Sequence, residues 1–544
     1  MWSPSTMSLS ARLVPVPSGT GTSGPSATAT AEKPNPGGTV KFPLSGVSSG
    51  NPPTLYPFEN LTYLAQTPAN YYYSRLLRAK TGPTISPDDQ TQIEGDLVAK
   101  WEQVDPLNYV FTFKPNVKWQ NVDPVNGRAF TAEDVKYTLE AFAASAEFNT
   151  AWLPIDKVEA SDAMTVRVSL KQPVNYLQNA LAEMRIVMLP KEVAAADGDF
   201  SKRAVGTGPF ILEQYTANTS AKYKKNPDYY VNGKPYVDSV EYVAYKDAQG
   251  AREAYLTGQF PVGRGDGLGS PDQYKDDLSR KKDGVALKLQ SRWQANVWFL
   301  GLKTDKPPFN NPQVAQAFSM AWDRKAFAKT ILGDLEGNTL GNFTWVSYFD
   351  KQPDFGKLTE YNVAEAKKLL SGAGVSGTLE ATVDYANYGQ TLVDQIQFIA
   401  EQMKAAGINL KLQLSEVAAY GPKFSQGQFD NMALGFISTV PRYQPLVMKT
   451  FLESTSGRNA LKINDPELDS NIKKLTEGTS TADQKAAYQA IWTKVHTRPY
   501  LIPLVEGPTM FFHDKKVRNW LPNQYSDPGG WGLQSMFEQV WLEA

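Results

Sequence analysis

The sequence predicts an α/β protein large enough for two lobes, and three observations carry that expectation. An alternating strand at residues 109–113 is followed by a capped helix that starts near residue 131. A long amphipathic helix closed by Gly407 feeds straight into a second alternating strand at 408–414. The same alternation of helix and strand recurs in both halves of a 544-residue chain that shows no repeat of 20–50 residues. At ~150 residues per domain, this length allows several domains or large discontinuous lobes.

Taken in order, residues 1–38 are rich in Ser, Thr, Pro, Gly and Ala and are expected to form a flexible linker. Their start, MWSPSTMSLSARLVP, has neither the charged onset nor the apolar run of a secretory signal. Val40, Phe42 and Leu44 alternate as a first strand, and a turn covers 52–57. ANYYYSRLL, 69–77, reads as a helix whose three tyrosines belong more to core than to ligand. Tyr109, Phe111 and Phe113 line one face of a strand ended by Lys114-Pro115-Asn116, and Val117 and Trp119 resume the alternation. FTAEDV, 130–135, predicts a helix start with Thr131 as N-cap, Asp134 as its reciprocal partner and Phe130 stapled to Val135; Val135, Leu139 and Phe142 form the buried stripe. Gly206 and Gly208 predict a tight turn before a strand carrying Phe210 and Leu212. Asn232-Gly233 predicts a type I′ hairpin turn, and Val240, Tyr242 and Ala244 share a strand face.

In the second half, Asn311 and Pro312 open a helix striped by Val314, Phe318 and Ala321, and Asp323 caps another that ends at Gly333. Asn362 and Glu365 suggest a capping box, with Gly374 closing that helix. Leu392, Ile396, Ile399 and Met403 stripe the long helix before Gly407, and Ile408, Leu410, Leu412 and Leu414 alternate after it. Thr481 and Gln484 predict the start of a last helix running to 495, before a strand at 500–505.

Composition excludes several classes. Lys plus Arg number 55 against 56 Asp plus Glu, so a formal charge of −1 gives no reason to expect nucleic acid or an anionic membrane as partner. There are no cysteines, which removes disulfides, thiolate metal sites and cysteine nucleophiles, and the two histidines, His496 and His513, lie far from other obvious donors. No cofactor and no metal are expected. No run approaches the ~18 apolar residues of a membrane span. Neither a dinucleotide fingerprint nor a phosphate-binding loop appears, so no nucleotide site is indicated.

The block at 94–119, with LVAKW, then YVFTF and VKW, followed by FTAEDVKYTL at 130–139, resembles the family 5 solute-binding proteins of bacterial ABC importers, the peptide, nickel and oligosaccharide receptors. VGTGPFIL at 205–212 with NPDYYVNGKPYVDSV at 226–240, NPQVAQAFSMAWDRKAF at 311–327 and YNVAEAKKLL at 361–370 are similar to further blocks of that family. The resemblance implies an extracytoplasmic, non-catalytic receptor, expected as a monomer. Such a receptor binds a small solute and delivers it to the transmembrane subunits of an ABC permease. It implies a two-lobed periplasmic-binding-protein-like α/β fold with an inserted subdomain and a ligand cleft between lobes. Lobe I is expected at 39–66, 186–283 and 498–544, the inserted subdomain at 67–185 and lobe II at 284–497.

The resemblance also supplies cleft residues. Leu61, Thr62 and Tyr63 fall where peptide receptors of the family run main chain along their ligand. Gly435, Phe436 and Thr439 fall where those receptors carry G-W-x-A-D, whose aspartate pairs with the peptide α-amine; here Thr439 stands at that aspartate. A buried ammonium without counter-charge is costly, so either another acid replaces it or the ligand lacks a free amine. Trp293 and Asn296 join the set from their place just before the strand at 297–302. The ligand implied is an oligopeptide or peptide-like solute, with an oligosaccharide as the alternative. Aromatics at 12% of the chain, among them Trp345, Tyr348, Tyr443 and Trp531 in loop-like contexts, suit the stacking that a sugar would use.

Three other readings weigh less. Gly46-Val47-Ser48-Ser49-Gly50 matches a serine hydrolase elbow, but Asn51-Pro52-Pro53 follows where a helix is required. A nickel site would have to use His496 or His513, expected near a helix end and in a charged turn. Arg264-Gly265-Asp266 matches an adhesive tripeptide of a kind that recurs by chance.

Overall fold

The computed structural model describes residues 33–44, 54–57, 69–80, 93–144, 153–217, 219–245, 248–265, 276–277, 279–281, 284–289, 296–332, 360–388, 390–438, 444–478, 480–505, 509–520 and 537–543. The expected linker, apart from 33–38, and the elbow motif at 46–50 lie outside these residues. The strands are β1 (Thr39–Leu44), β2 (Leu77–Ala79), β3 (Ile93–Gly95), β4 (Val98–Asp105), β5 (Asn108–Phe113), β6 (Ile155–Asp162), β7 (Thr165–Leu170), β8 (Phe210–Thr216), β9 (Ser220–Lys225), β10 (Ser239–Ala244), β11 (Val262–Gly265), β12 (Gly284–Leu289), β13 (Asn296–Leu302), β14 (Leu379–Ala386), β15 (Ile408–Ser415), β16 (Met432–Ser438), β17 (Leu501–Pro503) and β18 (Thr509–Asp514). The helices used below are α1 (Ala132–Ala144), α2 (Pro312–Met320), α3 (Val363–Gly372), α4 (Gln390–Met403), α5 (Val417–Ser425), α6 (Pro466–Glu477) and α7 (Thr481–Thr497).

In the first lobe, a sheet of order β1-β10-β9-β8 pairs β1 parallel to β10 and the rest antiparallel. Beside it stands an antiparallel sheet of order β4-β5-β7-β6. On β5 the expected alternation is present: Tyr109, Phe111 and Phe113 are buried and share a core with Val166 and Val168 of β7 and with Val135, Leu139 and Phe142 of α1. One hydrophobic cluster runs from this sheet into the first, so the segment expected as an inserted subdomain shares its core with lobe I.

The start of α1 keeps half of the expected box, since the Thr131 N–H donates to Asp134 Oδ2 at 2.9 Å. Asp134 does more than cap. It is 2% exposed and accepts from Arg128 through both oxygens, at 2.6 and 2.9 Å, and from Trp119 Nε1 at 3.2 Å. Arg128 in turn holds Glu192, whose carboxyl it keeps below the ordinary range by hydrogen bonding.

Three local expectations are corrected in this lobe. ANYYYSRLL makes one helical turn at 69–72 and then passes into β2, because its backbone is claimed from outside. Gly208 N–H donates to Tyr72 O at 2.9 Å, and Arg75 N–H donates to Asp96 Oδ2 at 2.8 Å. The tyrosines Tyr71, Tyr72 and Tyr73 are wholly core, at 0%, 0% and 2% exposure. Gly206 is glycine for close approach rather than for turn geometry: a Cβ there would lie 1.8 Å from the Tyr72 carbonyl oxygen. Buried Gln120 fastens the same crossing, donating to Phe210 O at 2.7 Å and accepting from Gly206 N–H at 3.2 Å. At Asn232-Gly233 only Gly233 has positive φ, +76°, and no strands flank it, so this is a type II pattern and not a I′ hairpin.

The second lobe is a five-stranded sheet of order β15-β14-β16-β13-β17, with β14 parallel to β15 and β16 and β13 antiparallel to β16 and β17. Each face of this mixed sheet is covered by helices. Leu300, Leu302, Val383 and Leu434 pack under α2, α3 and α4, while Phe299 and Ala433 point the other way, into the core of α6 and α7. Helix ends follow the side-chain chemistry. Asn311 accepts from Gln313 N–H, Asp323 from Lys325 and Ala326, and Asn362 from Glu365. The box at Asn362 stays half formed because its own N–H goes to Met320 O at 2.9 Å. Ser480, not Thr481, caps α7, with its hydroxyl accepting from Asp483 N–H at 3.1 Å; Gln484 instead donates to Gly478 O.

β17 pairs with β13 in the second sheet, and β12 pairs with β18 in a separate sheet of order β11-β18-β12.

Candidate functional site

The carboxyl edge of the second sheet is the candidate site among the described residues. β14, β15 and β16 all run toward it, and β13, antiparallel, starts there. Asn296 therefore stands opposite Ser438, and Trp298 opposite Phe436. β14 and β16 are registered only through Val383↔Met432 and Asp384↔Ala433, although they run on to Ala386 and Ser438. Beyond that pairing the two parallel strands part. A crevice outside the carboxyl ends, where neighbouring strands are left by the chain in different directions, is the common ligand position in open α/β sheets.

Of the sequence-predicted site residues, the structure brings Asn296, Gly435 and Phe436 to these two paired strands. Leu61, Thr62, Tyr63, Trp293 and Thr439 lie outside the described residues, as do Trp345, Tyr348, Tyr443 and Trp531. Gly435 has a packing reason of its own. It faces Phe299, and a Cβ there would lie 2.6 Å from Phe424 Cζ and 2.7 Å from Phe299 Cζ.

Sequence reasoning missed Trp298 and Tyr388. Both are half-buried, with ring centroids 5.1 Å apart and planes tilted by 39°. Tyr388, two residues past the end of β14, also meets Tyr420 of α5 at 6.2 Å, edge to face. The Tyr420 hydroxyl lies 2.6 Å from Leu434 O and 2.9 Å from Asp384 O, bridging β16 and β14 where their pairing stops. Burial pushes the phenols of Tyr388 and Tyr420 up, so both stay neutral and able to donate. Below the edge, on the opposite face from Val383, buried Asp384 is paired with Lys423 of α5. The signal that could have found Trp298 is its even spacing from Asn296, which puts it on the same strand face.

The histidines make poor alternatives to this edge. His496 is 6% exposed inside α7, with Nδ1 2.8 Å from Trp492 O, and burial lowers its pKa to about 4. It is more deeply buried than its place near a helix end predicts. His513 lies within β18 and not in a turn, and burial lowers its pKa as well. Among the described residues no three His, Cys, Asp or Glu side chains gather as a metal site, and no helix is long and apolar enough to cross a membrane.

Comparison with known proteins gives a consistent picture. The family model described as bacterial extracellular solute-binding proteins, family 5 Middle, matches residues 92–458. The periplasmic murein peptide-binding protein MppA of Escherichia coli K12 is 22% identical over 467 residues, 80% of this chain and 83% of its own. The glutathione-binding protein GsiB of Salmonella paratyphi A is 25% identical over 502 residues, 85% of this chain and 89% of its own. Among solved structures, the periplasmic binding protein DppA from Helicobacter pylori, in complex with the peptide STSA, superposes with a TM-score of 0.79 at 21% identity, covering 94% of this chain and 99% of that one. MoaA from A. tumefaciens R10, in complex with mannopinic acid, gives 0.77 at 24% identity, covering 93% and 99%.

Proposed function

The chain belongs to the bacterial extracellular solute-binding proteins, family 5, and from that premise we propose that it is an extracytoplasmic receptor that closes two lobes around a peptide-like solute and hands it to an ABC permease. The observation that carries the reading is the parting of β14 and β16 at the edge where β13 begins, which leaves a crevice at the position such folds use for ligands. Relatives named for murein peptide and for glutathione, and the peptide-bound DppA, support a peptide-like solute. The receptor acts by binding, without chemistry, and as a monomer. Its lobes run 39–66, 186–289 and 504–544 for the first, with 67–185 inserted, and 290–503 for the second. The cleft takes Leu61, Thr62 and Tyr63 from the first lobe and Trp293, Asn296, Gly435, Phe436 and Thr439 from the second.

An oligosaccharide is the second reading, favoured by Thr439 in place of the amine-binding aspartate. A thermal-shift screen of peptide mixtures against cello-, xylo- and galacto-oligosaccharides separates the two, since a ligand at 100 times its Kd stabilises the protein by ~2.7 kcal/mol. Small-angle scattering should show compaction with the same ligand, as lobe closure requires. Thr439→Asp should tighten peptide binding where an amine sits nearby and leave a neutral sugar unchanged or weaker. Stabilisation by sugars alone would reverse the choice of solute; no stabilisation and no compaction with either class would overturn the receptor reading.

A further inference from the structure

We propose that Asn175 is a positioning residue for lobe closure: it caps the carboxyl end of α6 from the opposite lobe, and this capping sets how long the receptor stays closed on its solute. The inference rests on the receptor reading and on the lobes given with it. Asn175 belongs to the inserted part of the first lobe, and Leu475 of α6, 300 residues further along the chain, belongs to the second. Asn175 Nδ2 donates to Leu475 O at 2.7 Å and to Gly478 O at 2.9 Å, and its backbone N–H donates to Thr476 O at 3.0 Å. Main chain and side chain thus both donate to the last turn of one helix of the other lobe. The contact has an apolar member as well: Leu446, in the helix Gln444–Leu452 of the second lobe, is 2% exposed and packs in the core of the first.

A helix leaves its last carbonyls without partners inside the helix, and a left-handed residue just past the end commonly answers them. α6 ends differently. Gly478 at its C-cap is extended, with φ −60° and ψ 131°, and its N–H donates to Lys474 O at 2.9 Å. Gly478 O accepts from Gln484 Nε2 of α7 as well as from Asn175. The first lobe therefore supplies donors that the end of α6 does not find in a left-handed cap of its own. Such a junction is suited to being made and broken. On opening, the carbonyls and the amide exchange each other for water at little net change in free energy. In the closed arrangement the buried Asn175 Oδ1 has no hydrogen-bond partner among the described residues, a deficit that water removes once the lobes part. Position adds leverage. α7 begins just past the end of α6 and runs 17 residues, about 25 Å, to Thr497, beyond which β17 leads to the crossing between lobes. A rotation of about 10° at the crossing moves a point about 25 Å away by about 4 Å, enough to part every hydrogen bond that Asn175 makes to α6 and its cap.

The test uses the full chain, which has no cysteine of its own. Ser161→Cys in the first lobe and Ala486→Cys in the second, both at exposed positions, can therefore carry two spin labels whose separation reads closure. The probes are single peptides drawn from the mixtures screened above and the same cello-, xylo- and galacto-oligosaccharides. Any probe that binds should shift the labels to one closed separation. Asn175→Ala should weaken every such probe about tenfold, through faster dissociation with association changed by less than about twofold, and should leave the order of preference among probes as it was. Asn175→Asp, whose carboxylate faces carbonyls at the negative end of α6, should weaken binding further and return an open separation beside the closed one. Asn175→Ser keeps one donor and should fall between Asn175→Ala and the unaltered protein, and it keeps the test available if a harsher variant fails to melt cooperatively. Affinities and separations unchanged in all three variants, with only the Tm lowered, would make the contact a fixed joint and overturn the proposal while leaving the receptor standing. A loss confined to one probe, or one carried by slower association, would overturn it equally, the former by making Asn175 a solute contact. No binding and no change of separation with any probe in the protein with Asn175 intact would overturn the receptor reading and the closure role with it.

Discussion

Replacing Gly435 with alanine separates a packing role from a ligand-contact role at one position. The added Cβ would lie 2.6 Å from Phe424 Cζ and 2.7 and 2.8 Å from ring atoms of Phe299, inside the distance that carbon atoms tolerate. Phe299 has no room to retreat, and half-buried Phe424 has little. Phe299 is 1% exposed, and Phe424 is stacked on Phe429 at 6.1 Å with planes 10° apart and on Tyr420 at 6.3 Å. β16 itself is an interior strand held by β13 along its whole length. Forcing one methyl group into such a core costs about 1–3 kcal/mol. For a lobe of some 150–250 residues that is a drop in Tm of about 2–12 °C. Calorimetric melting without ligand reads the stability, and titration with the best solute from the screen reads the affinity. The packing account expects a lower Tm with affinity changed by less than about threefold. An unchanged Tm with binding lost would refute it and make Gly435 a point of backbone approach to the solute.

Asp134→Asn should destabilise the first lobe by roughly 2–4 kcal/mol, since it strips a nearly buried carboxylate from Arg128, which keeps Glu192 and so limits the loss; chemical denaturation checks it. His496 gives a pH signature. Its folded pKa of about 4 lies below the ordinary 6.5, so the unfolded chain binds the extra proton first and stability falls as pH drops from 6.5 toward 4, by on the order of 3 kcal/mol. His496→Gln should remove that slope, and melting curves at pH 7, 5.5 and 4 that stay parallel for the two proteins would contradict the assignment. Gly206→Ala should yield no cooperatively melting protein, because its Cβ meets backbone, the Tyr72 carbonyl at 1.8 Å, rather than a side chain that can rotate away.

Local chemistry was legible wherever the deciding atoms lay within a few residues of one another. The alternation on β5, the stripe on α4 and the caps at Asn311, Asp323 and Asn362 are all short-range events, and each appears as read. Reading failed where a distant segment claimed the backbone. ANYYYSRLL has helical spacing, yet the amide of Gly208 and the carboxylate of Asp96 take its peptide groups, and nothing inside 69–77 announces either partner. The cap of α7 was missed by one residue because Ser480-Thr481 offers two hydroxyls in succession, and only the backbone angle at Ser480 chooses between them. At the site, the pairing of Asn296 with Ser438 is a long-range register that no window of sequence contains. Trp298 was passed over because an aromatic inside a strand is usually core; that it sits at the open end of its strand is a property of the sheet.

The order of the chain through the second sheet explains why that end is open. From β14 the chain leaves through α4, which packs on the face of Val383 and Leu300, and returns as β15 on the far side of β14. From β15 it leaves through α5 on the opposite face, where Lys423 reaches Asp384 and Phe424 reaches Phe299, and returns as β16 on the near side. β14 and β16 thus lie side by side while their neighbouring helices occupy different faces, so neither α4 nor α5 crosses directly over the gap between their carboxyl ends. Tyr420 holds that gap from below through the carbonyls of Asp384 and Leu434, and Tyr388 stands above it against Trp298. In the receptor proposed above, the crevice is therefore a consequence of topology, and side chains at its rim can vary with the solute while the strands beneath them stay fixed by the two cores.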